Sequence, residues 1–447
     1  MWRLWNLKLL FTVTNAKSFL YRKWSLKQYN HTAPYLGFRA WFRSDKSAKG
    51  DLRNYIGGGN QWPRSPIFDY FVFYSTKTVH MPLYMDIHFV GEISVEDTRK
   101  AHLKDLAVQE KYGVVYHQYW FNEAAGTIFC LMEGPDKESC AATHREANGL
   151  TACQIVEVEG GMYDIFMGEN QKVDHGLVRH NDGRIDTGYR YILTLDILAK
   201  VNSVNNIEFD QLKLPRGPKK TALLIINDND GKEVRTGNFD SIIAVFETPD
   251  SALKTAHEIQ KAFSKFTGGP ASDNNDILFT MGISVGQPLT EQEGFFESAI
   301  RRSQRMCLIA GQNEIITSRL FDELCEANEV VKNYIGVRTI DSSEQIFIDD
   351  LLDITESRVS DFDFGVHCLS REIGVSTPQL YRKVTKLTGR SPVSFIRDIR
   401  LHRALSLIKQ KQLNISEIAL EVGYNNPSYF TKCFQDKFGI NPSRIAV

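Results

Sequence analysis

HCLSREIGVSTPQLYRKVTKLTG at 367–389 and NISEIALEVGYNNPSYFTKCFQDKFGINPS at 414–443 follow one plan: a short helix, a glycine turn and a second helix. In the first copy the short helix is predicted to end near Ile373, with Gly374 supplying the turn. Ser376 fits an N-cap with Gln379 at the capping-box position, and Pro378 falls in the first turn, where a missing N–H costs nothing. Leu380, Val384 and Leu387 then recur on one face, while Gln379, Arg382, Lys383 and Lys386 share the opposite stripe, placed to read base edges. In the second copy Asn414 and Glu417 are caps, Gly423 makes the turn and Asn426-Pro427 opens a helix that turns Phe430, Phe434 and Phe438 inward. Asn425, Ser428, Tyr429, Thr431 and Lys432 are left outside.

Between the copies, SPVSFIRDIRLHRALSLIKQ at 391–410 runs without a breaker. About eighteen helical residues span roughly 27 Å. A spacer of that length sets two recognition helices about one DNA turn, roughly 34 Å, apart in successive major grooves. Charge agrees, because residues 366–447 carry 13 Lys and Arg against 5 Asp and Glu in a chain whose net charge is −1. A local basic excess of this kind is the footprint of phosphate binding.

The segment from about Phe347 to Ser443 resembles the DNA-binding domain of AraC/XylS-type transcription regulators, through LSREIGVSTPQLYRKVTKLTGRSP and ISEIALEVGYNNPSYFTKCFQDKFGINPS. The resemblance implies double-stranded DNA as ligand, RNA polymerase as a partner, a small-molecule effector and a homodimer. RIAV at the end departs from the aromatic and basic tail such domains often carry.

A chain of 447 residues is long enough for two to four domains. Its seven cysteines, at 130, 140, 153, 307, 325, 368 and 433, include no C-x-x-C pair and read as reduced cytosolic thiols. No run approaches eighteen apolar residues, so no membrane-spanning helix is expected and the cytoplasm is the expected location. Residues 81–365 carry 27 basic and 46 acidic side chains, which excludes the middle of the chain as a DNA-binding surface. Residues 1–80 hold five of the six tryptophans and no glutamate, with no sustained period. They read as an extension ahead of a true start at Met81, as a basic arm, or as a folded extension.

Residues 81–168 give strand, helix, strand, strand, helix, strand, the ferredoxin-like βαββαβ order. MPLYMDIHFV, AHLKDLAVQEKYGVVYHQYWFNEAAGTIFCLMEGPDKESC and HREANGL resemble the small nickel-binding-protein-like family. The resemblance makes a divalent metal the one cofactor to consider, with His102, His117 and His144 as candidate ligands and His88 a further imidazole. Asn148 stands where the family pattern repeats histidine, which breaks a two-point anchor; histidines serving only structure are the other reading.

Residues 185–330 alternate strands and helices, predicting a sheet with helices packed on one side. GNFDSIIAVFETPDSALKTAHEIQKAF and FFESAIRRSQRMCLIAGQNEIITSRLF resemble the class III nucleotide cyclase homology domain, while KLPRGPKK interrupts the helix expected before them. By position Asp196 and Asp240 would be the two metal-holding aspartates and Arg305 the transition-state arginine. Leu198, Ala199 and Lys200 replace the polar and glycine positions beside the first, Phe239 and Ser241 flank the second, and Arg301 occupies the asparagine position. The expectation is a degenerate, non-enzymatic domain that senses or dimerises.

Residues 331–346 are then a linker, and the acidic run Asp349, Asp350, Asp353 and Glu356 reads as a solvated helix face leading into a domain at 347–447. Together these signals predict a multidomain protein with α+β modules, one ferredoxin-like and one cyclase-like, ahead of an all-helical double helix-turn-helix. The function expected is sequence-specific transcription regulation. The alternative is a nucleotide cyclase or metal-binding sensor with a DNA-binding tail.

Overall fold

The computed structural model describes residues 81–446, apart from 150–151, 169–170, 201–205, 214, 236–240, 265–275 and 328–335. The expectations for residues 1–80 and for Asp240 lie outside the described residues.

The first module contains β1 (Leu83–Phe89), α1 (Val95–Val108), β2 (Val115–Asn122), β3 (Thr127–Glu133), α2 (Lys137–Asn148) and β4 (Gln154–Glu157). β1 pairs antiparallel with β3 on one side and β4 on the other, with Asp86 opposite Cys130. Ser94 caps α1 by accepting from the Asp97 N–H, and Asp136 caps α2 by accepting from the Ser139 N–H. The faces these helices bury are unusual. α1 buries Thr98, His102 and Asp105, and α2 buries Cys140, Thr143 and His144, so a polar layer rather than an apolar one lies against the sheet.

A helix, α3 (Gly160–Met167), and two short strands, β5 (Lys172–Asp174) and β6 (Leu177–Arg179), follow. They extend the sheet to the order β4-β1-β3-β2-β6-β5. Strands of three residues leave no readable alternation in a sequence, so this hairpin went unpredicted. Its consequence is that the β2 edge, where a second copy could add its own sheet, is partnered within the chain at Tyr119–Leu177.

The second sheet is built on β7 (Arg190–Lys200). After β8 (Ile207–Glu208), α4 (Phe209–Leu212), α5 (Arg216–Asp228) and β9 (Lys232–Glu233) come β10 (Ile242–Phe246), α6 (Pro249–Phe263), β11 (Asp276–Gly286), α7 (Glu297–Ile309), β12 (Ile315–Ser318), α8 (Arg319–Ala327) and β13 (Val337–Ile340). The strand order is β13-β12-β11-β7-β10-β9, with β7 and β11 antiparallel along their full length. Helices cover both faces, not one as expected. Leu193, Leu195 and Ile197 pack in one core with Leu253, Ala256 and Ile259 of α6, while Ile192 packs in another with Ala299 and Ile300 of α7. A near-continuous apolar run such as YILTLDILA is what a strand buried on both faces requires. KLPRGPKK does break the helical stretch, since α4 ends at Leu212 and α5 starts only at Arg216. Pro215 is the N-cap of α5, and Pro218 lies in its first turn beneath Ala222 and Ile226.

The C-terminal helices are α9 (Ser342–Ser357), α10 (Val366–Ile373), α11 (Thr377–Thr388), α12 (Pro392–Gln410), α13 (Ile415–Glu421) and α14 (Pro427–Phe438). Ser376 and Gln379, and Asn414 and Glu417, form the reciprocal capping boxes, while Gly374 and Gly423 take φ of 78° and 77° at the two turns. α12 is one unbroken helix of 19 residues. Its Leu401, Ala404 and Leu405 join the same core as Leu193 and Phe209, and β14 (Ile445–Ala446) pairs parallel with β8. The helical segment is therefore seated on the second sheet's module rather than tethered to it. Inside the expected linker, Val337–Ile340 is a sheet strand and Ser342 already opens α9.

Candidate nucleic-acid interface and a buried polar cluster

Gln379, Arg382, Lys383 and Lys386 are all exposed on α11, above the buried Leu380, Val384 and Leu387. They are not equivalent. Gln379 Oε1 accepts from the Ser376 N–H at 3.0 Å, so its amide nitrogen is the end left to reach outward. Lys386 Nζ donates to Glu344 of α9 at 2.8 Å, and Lys383 Nζ lies 4.7 Å from the Phe347 ring centre, also on α9. Arg382 has no ion-pair partner among the described residues and is the cation most ready for a base edge. Beside it Tyr381 is exposed, an aromatic that the charge-based reading passed over.

On the second unit Asn425, Ser428, Tyr429 and Lys432 are exposed, whereas Thr431 is half-buried at the flank. Asn426 Oδ1 accepts from the Ser428 and Tyr429 N–H groups at 2.9 and 3.1 Å, which fixes the start of α14. Phe430, Phe434 and Phe438 form a continuous run of tilted ring contacts with centroids 5.7 and 4.5 Å apart. Asp398 on α12 accepts from Arg390, just after the first unit, and from Lys437 in α14, both at 3.0 Å. Burial pushes the Asp398 carboxyl up, but Lys437 and Arg390 outweigh it and hold it below the usual range. One buried carboxylate thus fastens both units to the spacer.

The first module gathers a different set of groups. Asp86, His88, Cys130 and His144 are all buried, and one ligand atom from each lies within 4.8 Å of the others. His88 Nε2 is 3.2 Å from Asp86 Oδ2 and 3.4 Å from His144 Nε2. Two ligands each about 2.0–2.1 Å from a tetrahedral ion lie roughly 3.3–3.4 Å apart, close to the two His88 distances. Asp86 Oδ2 and His144 Nε2, by contrast, are hydrogen-bonded to each other at 2.6 Å and would have to part to admit a divalent metal of zinc or nickel type. Asp105 accepts at 3.2 Å from His144 Nδ1 and is itself held by Asn148 at 2.9 Å. That is the outer support that aims an imidazole. Burial alone would raise Asp86, yet His88 and His144 hold it well below the usual carboxylate range. Burial would lower His144, but Asp86 and Asp105 raise it to about 10, while burial pushes the Cys130 thiol well up.

Of the three histidines the sequence singled out, only His144 belongs to this cluster. His117 is exposed, 3.4 Å from Glu133 on the outer face. His102 is buried nearby but stacks on Tyr119 at 4.9 Å and lies directly under Gly176, whose hypothetical Cβ would sit 2.3 Å from its Nε2. The β5–β6 turn therefore covers it. The signal that finds the others is the pair of polar residues, Asp86 and His88, on one face of an otherwise apolar strand.

In the second module Asp196 is paired with Lys213, whose ammonium occupies the position a cation would need, and Asp240 lies outside the described residues. Burial raises Asp196, but Lys213 and His402 bring it below the usual range. Arg305 of α7 donates to Asp349 at 2.8 Å and to Asp353, and so ties α7 to α9. The acidic run is thus partly an interface and not wholly a solvated face.

Residues 369–446 match the family model described as a helix-turn-helix domain, and residues 84–158 match that of the nickel responsive protein SCO4226-like. Over 106 residues the chain is 39% identical to Histidine kinase P4 of Formosa agariphila, covering 24% of this chain and 8% of that protein. Over 91 residues it is 32% identical to the HTH-type transcriptional regulator ExsA of Pseudomonas aeruginosa, covering 20% and 30%. The crystal structure of SCO4226 from Streptomyces coelicolor A3(2) is 39% identical, covering 17% of this chain and 94% of that one, with a TM-score of 0.17. The chain spans between 8% and 54% of the curated relatives it matches.

Proposed function

Because residues 369–446 are an AraC-type helix-turn-helix DNA-binding domain, we propose that the whole chain is a sequence-specific transcription regulator that reads two adjacent elements of double-stranded DNA. The observation that carries this is the pair of capped helix-turn-helix units, each with an exposed polar stripe, fixed to one 19-residue helix. At 1.5 Å per residue that helix is roughly 28 Å long, close to one turn of DNA. RNA polymerase, a small-molecule effector and a second copy of the chain are the partners this role calls for, and the cytoplasm is its place. No described helix is long and apolar enough to cross a membrane. The second sheet serves as a non-enzymatic scaffold, consistent with the Lys213 ammonium on Asp196.

The test is selection of bound fragments from random-sequence DNA by the full chain at near-physiological salt. Sites with two elements about ten base pairs apart are expected. Binding that is independent of sequence, or none at all, would overturn the reading.

The buried cluster supports a metal-sensing role for the first module. Asp86, His88, Cys130 and His144 would hold a divalent ion, nickel by likeness to the matched family, and its binding would make the stability of the module metal-dependent. After nickel loading and gel filtration the chain is expected to retain one ion, with a sulfur-to-metal absorption band. That band should vanish in Cys130→Ser, and retention should fall in His88→Ala and His144→Ala. Equal retention in all four proteins would sink the assignment.

A further inference from the structure

Two adjoining hollows, of about 340 and 390 Å³, lie at the seam between the β5–β6 hairpin and the second sheet, and they share His180, Asn181 and Glu247. We propose that together they bind an α-amino acid with a large apolar side chain, its charged end held by Glu247 and Lys232 and its side chain in the larger hollow.

Register puts the two charges on one wall. Lys232 of β9 lies opposite Val245 of β10, and Glu247 follows Val245 by two residues, so the alternation of a strand carries all three to one face. Val245 packs in the same core as Phe166 of α3, which turns that face toward the first module. Gly168, at the end of α3, stands over it. A Cβ there would lie 3.4 Å from Glu247 Oε1 and 4.0 Å from Lys232 Nζ. Its φ of 87° and ψ of 153° belong to a region essentially reserved for glycine, so the bare backbone leaves space beside the carboxylate and the ammonium.

The other charges around the hollows are matched. Arg179 pairs with Asp174 at 3.1 Å, Arg184 with Asp182 at 2.7 Å, and the buried Asp186 with Arg190 at 2.8 Å. His180 lies 4.0 Å from Asp186. Arg190 is near enough to feel Glu247, but its hydrogen bonds go to Asp186 and to backbone carbonyls. Glu247 and Lys232 are both exposed and form no ion pair with each other or with any other described residue. Lys232 Nζ donates only to the Asp164 carbonyl, at 3.0 Å. An anion drawn to Lys232 would face Glu247, and a cation drawn to Glu247 would face Lys232. A zwitterion satisfies both.

The larger hollow supplies the apolar part. Ile185, Tyr189, Pro249 and Leu324 line it with Tyr191, which is 5% exposed and whose hydroxyl makes no hydrogen bond among the described residues. Burial pushes that phenol up, so it stays neutral and can donate. Apolar walls with a few converging polar groups are what a small-molecule site requires. Tyr191 also shares a core with Leu401 and Leu405 of α12, which gives occupancy a route to the DNA-binding helices. That last step names an effector class for the DNA-binding reading and rests on it.

The site is tested first without DNA, so that its failure is separate from any failure of DNA binding. The full chain is titrated calorimetrically with L-phenylalanine and, separately, with L-leucine. At least one is expected to saturate a single site, weakened about tenfold or more in Glu247→Gln and in Lys232→Gln, with the fold checked by circular dichroism. Analogues lacking one charge, phenethylamine and hydrocinnamate for phenylalanine or isoamylamine and isocaproate for leucine, should lose as much. Lys432→Ala, on the DNA face, should titrate as the wild type. Absence of saturable binding by both amino acids overturns the site, as does wild-type binding by either variant or an equal loss in Lys432→Ala. Single-charge analogues that bind as tightly as the amino acid overturn it too. Operator affinity is then measured with and without the saturating amino acid. A change supports the effector role, and no change removes it.

Discussion

Replacing Arg382 with alanine is expected to weaken binding to the selected DNA site by about 1–3 kcal/mol, roughly five- to 150-fold, and to leave binding to random DNA nearly unchanged. The argument is one of availability. Of the three cations on the stripe of α11, Lys386 is held by Glu344 and Lys383 lies over Phe347, whereas Arg382 is exposed and has no ion-pair partner among the described residues. An arginine so placed can give two parallel hydrogen bonds to a guanine edge. Lys432 on α14 is a point charge and is expected to behave differently, with Lys432→Ala lowering affinity for all sequences and flattening the salt dependence by about one unit of slope. The two changes lie on separate units joined by α12, so the double variant should lose close to the sum. Competition titrations over a range of salt concentrations check all three. An equal loss for Arg382→Ala on operator and random DNA would make it a phosphate contact instead.

The C-terminal helices were legible because their instructions are local. A serine or asparagine cap, a partner three residues on and a glycine at each turn lie within a few residues of one another, and they fix where each helix starts and stops. The buried polar cluster was not legible because it is made by register. Asp86 and Cys130 meet only because β1 and β3 pair with those two residues opposite, His88 shares their face two residues along, and His144 arrives from a helix more than fifty residues later. Histidine spacing instead drew attention to His102 and His117. One is roofed by a turn between two three-residue strands and the other faces outward, and nothing local marks either fate. The same limit applies to the acidic run of α9. Asp349 and Asp353 look solvated until the tertiary structure places Arg305 against them.

The two turn glycines look alike in sequence and have the same backbone conformation, yet substitution is expected to affect them unequally. Gly374 has φ of 78°, and an added Cβ would meet nothing within 4 Å. Gly374→Ala therefore carries only the left-handed backbone penalty, about 1–2 kcal/mol. Gly423 has φ of 77°, and its Cβ would lie 2.5 Å from the Val359 carbonyl oxygen and 2.9 Å from Arg400 Nη2. The oxygen belongs to backbone and cannot swing away. Arg400 is itself occupied in donating to the Phe364 carbonyl at 3.2 Å and to that of Asp361, so moving it disturbs the loop between α9 and α10. Adding about 1–3 kcal/mol of overpacking to the backbone term puts Gly423→Ala at about 2–5 kcal/mol. Urea unfolding of the two variants should separate them. The effect on DNA binding should also be lopsided, because Gly423 sits between α13 and α14 while the contact it would break reaches the first unit. Loss of both elements of the operator is expected for Gly423→Ala, against a mild loss of one for Gly374→Ala. Equal destabilisation by both substitutions would mean that the close approach to Val359 is not a constraint in solution.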